Sequence, residues 1–84
     1  MDGEREIVLR NKQFCRLFGE YIREAREARG DTLEKLADDA GIDTSTIERI
    51  ERGVSDPRNS TVFKLEKVLE INIHNIYKEI SEKL

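Results

Sequence analysis

Many side chains of this chain could take part in acid–base, nucleophilic or metal chemistry, but their spacing does not suit it. The 18 Asp and Glu residues are spread over helical solvent faces, and none lies in a recognisable nucleophile or phosphate-binding motif. The single histidine, His74, is interpreted as a surface residue, because no second His or Cys is near enough to share a metal ion. The single cysteine, Cys15, is interpreted as a small hydrophobic residue near a core edge, since a reactive thiol needs a cationic neighbourhood. We expect no catalytic site, no metal site and no cofactor.

The remaining candidates are hydrogen-bonding side chains in a short polar segment, residues 43–53. Ile47 and Ile50 are expected to be buried, and helical spacing then turns the other side chains of the segment outward. The outward set combines hydroxyl and guanidinium groups with one carboxylate: Thr44, Ser45, Glu48, Arg49 and Arg52. A plainer interpretation stays open, in which Arg49 and Arg52 only make weak, exposed ion pairs with Glu48 or Asp56.

Five helices are predicted to position this segment, and apolar spacing indicates each of them. They lie near 11–29, 32–40, 44–52, 60–71 and 73–83. The sequence has no strand pattern and no internal repeat, so the predicted fold class is all-α. Residues 1–10 are expected to form an N-terminal arm or an extension of the first helix, and residues 11–84 a single domain.

The second and third helices meet at a tight turn, which suits a helix-turn-helix over about 32–52. Gly41 supplies a backbone conformation that a residue with a Cβ adopts only at a cost. Ala37 is small, which lets two steeply crossing helices come close together. The expected N-caps of helices two, three and four, respectively, are Asp31 or Thr32, Asp43, and Asn59 or Ser60.

The stretch from Thr32 to Gly53 resembles the lambda-repressor-like (Xre) family of phage Cro and repressor proteins, and the resemblance extends from about Leu17 to Leu69. Its markers follow one another without an insertion inside the motif: Arg26, Leu36-Ala37, Gly41-Ile42, Ile47, Ile50, Glu51-Arg52-Gly53, Pro57 and the Leu65–Leu69 face. Each marker is a weak signal, but the ordered set is a strong one. The resemblance implies a five-helix domain and a repressor-like transcriptional regulator that binds specific sequences of double-stranded DNA.

The resemblance also implies roles for residues along helix three, which would enter the major groove. Base readout would fall on Thr44, Ser45 and Arg49, and the planar fork of Arg49 suits the O6 and N7 acceptors of guanine. Arg26 would pair with Glu51 in a partly buried ion pair between helix one and the end of helix three. Phosphate contacts would come from the helix starts and the loop after helix three: Thr32, Thr46, Arg52, Arg58 and Asn59.

Two features of the sequence weigh against strong DNA binding. The net charge of −3 lacks the excess of Lys and Arg that phosphate neutralisation usually requires. Many members of the family that this chain resembles carry a Gln that contacts phosphate at the position of Leu33. An alternative function is therefore an antitoxin or protein-interaction module on the same fold, with DNA binding weak or lost. An enzyme or small-molecule sensor is disfavoured, because no segment suggests the lining of a pocket.

Helix five carries an apolar stripe that is larger than one small domain readily covers: Ile73, Ile76, Tyr77, Ile80 and Leu84. We expect part of it to pack across the two-fold axis of a homodimer, which would present two recognition helices to a pseudo-palindromic operator. One cysteine excludes an intramolecular disulfide, and no apolar run reaches the length of a membrane span. We therefore expect a cytoplasmic protein with no membrane partner.

Overall fold

The computed structural model describes residues 2–84, and all the regular structure in that range is helical. The helices are α1 (Asp2–Ala28), α2 (Leu33–Ala40), α3 (Thr44–Glu51), α4 (Asn59–Leu69) and α5 (Ile73–Lys83). The predicted all-α fold with five helices is confirmed, and the bounds of α2, α3 and α5 agree with the predicted ones to within a residue.

Two helix boundaries differ from the prediction. α1 begins at Asp2, not near residue 11, so residues 2–10 extend the first helix, which is one of the two forms expected for this segment; residue 1 lies outside the described residues. α4 ends at Leu69, before the predicted end at residue 71, because Glu70 adopts a left-handed backbone conformation with φ of 56°. A residue with a Cβ takes this conformation singly and cannot propagate a helix from it.

The core lies where α1 meets the other helices. α1 packs against α3, α4 and α5, and α2 packs against α3 and α4. One cluster of buried apolar side chains draws on all five helices: Phe18, Ile22, Leu36, Ala37, Ile47, Ile50, Val62, Leu65, Leu69, Ile73, Ile76 and Ile80. Helices as short as α2 and α3 are marginal in isolation, so their positions depend on this shared cluster.

The N-cap residues agree with the prediction at α2 and α3 and differ at α4, although the cap of α3 lacks a side-chain bond. The hydroxyl of Thr32 accepts a hydrogen bond from the backbone N–H of Lys35 (3.0 Å), which caps α2. The side chain of Asp43 makes no capping bond, and only its backbone carbonyl accepts from the first turn of α3. Asn59 is already inside α4, whose N-cap is Arg58, so neither Asn59 nor Ser60 caps that helix.

The apolar stripe of α5 is divided between the core and the surface, which removes its three isoleucines from the predicted dimer face. Ile73, Ile76 and Ile80 are buried within the single chain, where they complete the core. Only Tyr77 and Leu84 remain exposed. A chain of 84 residues has few apolar side chains to spare, so its own core takes up the isoleucines.

The first turns of α1 project beyond this core. α1 has 27 residues and is therefore about 40 Å long, close to the longest dimension of the molecule, 43 Å. Every side chain from residue 3 to residue 13 is exposed. No helix within residues 2–84 is both long enough and apolar enough to span a membrane.

Candidate nucleic-acid interface

The turn between α2 and α3 is closed by backbone hydrogen bonds around Gly41. Gly41 has a φ of +66°, in the left-handed region that glycine adopts without strain. Its N–H donates to the carbonyl oxygen of Asp38 (3.3 Å), and the N–H of Ile42 donates to that of Ala37 (3.0 Å). These bonds satisfy carbonyls that the end of α2 would otherwise leave open. α3 therefore begins directly after a turn of fixed geometry.

α3 has one buried side and one polar side. Ile47 and Ile50 are fully buried in the core. The residues predicted to meet DNA lie on the other side, where Ser45, Arg49 and Arg52 are exposed and Thr44 and Thr46 are half-buried. The structure thus presents the predicted set on one surface, with the two threonines offering only part of their side chains.

Gly19 in α1 allows the end of α3 to approach α1 closely, a contact that the sequence analysis missed. A Cβ built on Gly19 would lie 2.7 Å from the carbonyl oxygen of Glu51 and closer still to that of Ile50. Because real Cβ atoms do not approach backbone oxygens so closely, any larger residue would push α3 away from α1. The available signal was a glycine in the interior of a helical stripe, which often has a packing reason.

An ion pair between Arg26 and Glu51 holds the same end of α3 from a second direction. Arg26 Nε donates to Glu51 Oε2 (2.7 Å), and Arg26 Nη2 donates to Glu51 Oε1 (2.9 Å). Arg26 Nη1 also donates to the carbonyl oxygen of Asp31 (2.8 Å), between α1 and α2. The two side chains are only 12% and 6% exposed. The hydrogen bond to Glu51 is the main cause that raises the pKa of Arg26. This charged pair joins α1, the α1–α2 connection and α3.

The loop after α3 leaves the helix in a direction set by Gly53. Gly53 has a φ of +78°, and its N–H donates to the carbonyl oxygen of Ile50 (3.0 Å). A Cβ on Gly53 would lie 2.7 Å from the Cα of Arg16, so this turn rests directly on α1. Residues 54–58 then lead from this turn to the start of α4.

Arg52 and Arg49, which are both exposed, differ in their electrostatic partners. Arg52 Nε lies 3.0 Å from Glu48 Oε1, in a pair whose side chains are 61% and 45% exposed. Such a pair contributes little to stability and can give way to another anion. Arg49 forms no ion pair with any side chain from residue 3 to residue 84. The plainer interpretation, a surface ion pair, therefore describes Arg52 and does not describe Arg49.

Arg49 lies at a cleft of about 410 Å³ between α3 and the start of α4. Two residues predicted to contact phosphate, Thr46 and Arg58, also line this cleft. Thr61 and Lys64 on α4 complete its polar wall, and the sequence analysis missed both. Their three-residue spacing, which places them on one helix face, was the signal that could have found them.

The cleft has a local excess of positive charge although the whole chain has a net charge of −3. Its charged lining consists of three cationic and two acidic side chains: Arg49, Arg58, Lys64, Asp43 and Asp56. Because the side chain of N-cap residue Arg58 makes no capping bond, the first N–H groups of α4 are also free of a side-chain acceptor. Within residues 2–84 no group of three or more His, Cys, Asp or Glu could hold a metal ion. The arrangement therefore suits hydrogen bonding to an anionic, acceptor-rich ligand.

The other predicted phosphate contacts lie outside this cleft. Thr32 is exposed at the start of α2, where its hydroxyl already caps the helix. Asn59 is exposed in the first turn of α4. Leu33 is half-buried and packs against the core, which explains an apolar residue at this position and removes one polar contact from the surface.

Comparisons with known proteins agree with this geometry. The helix-turn-helix family model matches residues 22–75. RghRB of Bacillus subtilis (strain 168), an uncharacterized HTH-type transcriptional regulator, is 40% identical over 60 residues, which are 70% of this chain and 43% of that protein. This chain therefore spans less than half the length of that relative.

Two solved structures share the fold. SinR in its complex with SinI superposes with a TM-score of 0.71 at 31% identity, over 80% of this chain and 66% of that chain. The clp gene regulator ClgR from Corynebacterium glutamicum superposes with a TM-score of 0.74 over 83% of this chain and 74% of that chain. At 18% identity, ClgR shows likeness of fold alone.

The family match covers the features that position α3: the turn at Gly41, the buried residues Ile47 and Ile50, and the Arg26–Glu51 ion pair. More than half of the chain lies inside the match, and the relative RghRB is a transcriptional regulator by name. The chain therefore belongs to the lambda-repressor-like (Xre) helix-turn-helix family of transcriptional regulators.

Proposed function

We propose that this chain binds specific sequences of double-stranded DNA by placing α3 in the major groove, and that it regulates transcription as a repressor does. The observation that carries the proposal is Arg49, an exposed guanidinium without an ion-pair partner among the side chains of residues 3–84. An α-helix fits the major groove, and the arginine fork matches the O6 and N7 acceptors of guanine. The contacts at Gly19 and Glu51 support a constant pose for α3, which repeated base readout requires.

Thr44 and Ser45 contribute to base readout from the first turn of α3. Their short hydroxyls discriminate weakly unless water or a thymine methyl assists, so Arg49 carries most of the specificity. Phosphate contacts come from four residues that line the cleft, Thr46, Arg58, Thr61 and Lys64, and from three exposed residues outside it, Thr32, Arg52 and Asn59. These contacts set the register of α3 on the duplex and carry no sequence information themselves.

The binding unit is a homodimer on a pseudo-palindromic operator, in the cytoplasm, where its DNA target is located. Two copies of α3 would reach half-sites about one helical turn apart. Tyr77 and Leu84, the exposed remainder of the α5 stripe, offer too little apolar surface to join two copies by themselves.

Selection from random double-stranded DNA, followed by a salt titration of the selected duplex, tests the proposal. We expect enrichment of a two-fold symmetric sequence with guanine in each half-site, and a linear fall of log affinity with log salt concentration. Arg49→Ala is the matched variant: it should lose enrichment at the guanine position and retain the salt dependence. Absence of both enrichment and salt dependence in the wild type would contradict the proposal. The protein-interaction module would then be favoured, and SinR, which occurs in a complex with SinI, is a relative that binds a protein.

A further inference from the structure

The projecting part of α1 carries an exposed apolar surface beside a groove. Ile7, Val8 and Leu9 are 67%, 53% and 54% exposed, but successive helical residues point about 100° apart, so only Val8 of the three lies at the groove. Val8 lines a groove of about 600 Å³ between α1 and the loop after α3, together with Cys15 and the exposed Val54. Val8 and Val54 are therefore the exposed apolar side chains of this groove, and we take their shared surface as a candidate interaction surface.

We propose that this surface binds a second copy of the chain, with the two α1 helices antiparallel across a two-fold axis beside Val8. Glu4, Val8, Lys12 and Cys15 follow one another at steps of four, four and three residues, so they share one face of α1. On this face an antiparallel pair centred at Val8 sets Val8 against Val8 of the partner subunit. The same register sets Glu4 against Lys12 of the partner subunit.

Charge complementarity selects a second copy in this orientation. In a two-fold symmetric pair the Glu4–Lys12 contact forms twice, because each contact is repeated by the symmetry. A parallel pair would instead place Glu4 against Glu4 and Lys12 against Lys12. Among the side chains from residue 3 to residue 84, neither Glu4 nor Lys12 forms an ion pair.

The size of the contact predicts a weak dimer. The paired segment is symmetric about Val8 and runs from about residue 3 to residue 13, roughly 16 Å of helix, with the loop around Val54 at its border. Such a contact falls at the small end of specific interfaces, so the monomer–dimer equilibrium should depend strongly on concentration. The assignment of this α1 surface to a dimer contact rests on the homodimer in the proposed function. It gives that homodimer a contact surface, which the exposed residues of α5 are too few to provide.

Charge-swapped variants test the register directly in the full chain without DNA. Sedimentation velocity from micromolar to millimolar concentration should show the wild type passing from monomer to dimer. Glu4→Lys alone and Lys12→Glu alone should each weaken the dimer by about tenfold or more, because two attractive contacts become repulsive. An equimolar mixture of the two variants should recover the dimer, since both contacts in the heterodimer are attractive again. Glu24→Lys, a matched charge change at an exposed position of α1 outside this surface, should leave the wild-type equilibrium unchanged.

Each possible outcome decides the assignment. A wild type that stays monomeric throughout would overturn it, as would a mixture of the two variants that does not recover the dimer. A wild-type dimer that is indifferent to both single variants would mean that another surface joins the copies. The side chains of residues 3–13 are exposed, so these variants should keep the circular dichroism spectrum of the wild type. Failure of DNA binding would be seen separately, in the titration, and would leave this result unaffected.

Discussion

Removing one partner of the Arg26–Glu51 ion pair should destabilise the domain far more than removing an exposed one. Arg26→Ala leaves the Glu51 carboxylate almost fully buried, without the two hydrogen bonds of 2.7 and 2.9 Å that it accepts. Leaving such a buried charge uncompensated costs about 3–5 kcal/mol. Since a domain of this length has a free energy of unfolding of roughly 4–13 kcal/mol, much of its stability would be lost. The midpoint of thermal unfolding should fall by about 12 °C or more.

Urea denaturation followed by far-UV circular dichroism measures this loss, and two further variants sharpen it. Arg26→Met combined with Glu51→Leu removes both charges, so it should recover all but about 1–2 kcal/mol of the loss, the remainder including the bond to the Asp31 carbonyl. Arg52→Ala breaks the exposed pair with Glu48 and should change the free energy of unfolding by about 1 kcal/mol or less. The reasoning is refuted if Arg26→Ala and Arg52→Ala have the same small effect, or if the double variant loses the sum of the two single losses.

Three further predictions, on Gly19, Cys15 and Arg52, test other parts of the structure. Gly19→Ala should lower the free energy of unfolding by about 1–3 kcal/mol, because its Cβ would overlap the backbone at the end of α3. Gly3→Ala, in the first turn of α1 with nothing within 4 Å, should instead change the free energy of unfolding by less than about 0.5 kcal/mol, because helix ends fray. Urea titrations in which both variants lose the same stability would contradict the close approach of Gly19 to α3. Burial is the main cause that raises the pKa of the Cys15 thiol, with Asp56 adding to it, so alkylation at neutral pH should be slower in the folded than in the urea-unfolded chain. The folded state then keeps the thiol proton to a higher pH than the unfolded state does. The free energy of unfolding should therefore fall as the pH rises above 9.0, the ordinary pKa of the thiol. Equal alkylation rates in both states would show that Cys15 is not buried. Arg52→Ala should weaken binding to every DNA sequence about equally and flatten the salt dependence by about one unit per contact, whereas a loss confined to one duplex would give Arg52 a role in base readout.

The fold could be predicted because local patterns specify most of it. Apolar stripes with helical spacing located α2, α3 and α5. The turn was located at Gly41 because a helix often ends at a residue with a left-handed backbone conformation, which glycine adopts most easily. The Arg26–Glu51 ion pair, inferred from the family resemblance, is present in the structure. Its two partners are far apart in the sequence, and no spacing rule could have joined them.

The remaining differences come from tertiary packing, which a single sequence does not show. The apolar stripe of α5 was visible in the sequence. Whether Ile73, Ile76 and Ile80 pack inside their own domain or against a second copy depends on which apolar side chains of the other helices lie beside them. From the sequence alone, Gly19 only lowers the helix propensity of α1. Its packing role becomes visible when the structure places the carbonyl oxygens at the end of α3 beside it. Lys64 joins the cleft because the loop before α4 folds back toward α3, and loop direction is not encoded in helical periodicity.

Fluorescence anisotropy of Arg49→Ala on the selected operator and on a scrambled duplex, over several salt concentrations, tests the central claim most directly. α3 reads bases if Arg49→Ala weakens operator binding by about 1–3 kcal/mol per half-site and leaves binding to the scrambled duplex nearly unchanged. Arg23→Ala removes the same charge from an exposed position of α1 and should leave the preference for the operator intact. Equal losses by Arg49→Ala on both duplexes would contradict base readout by α3 and would leave Arg49 with only a non-specific electrostatic role.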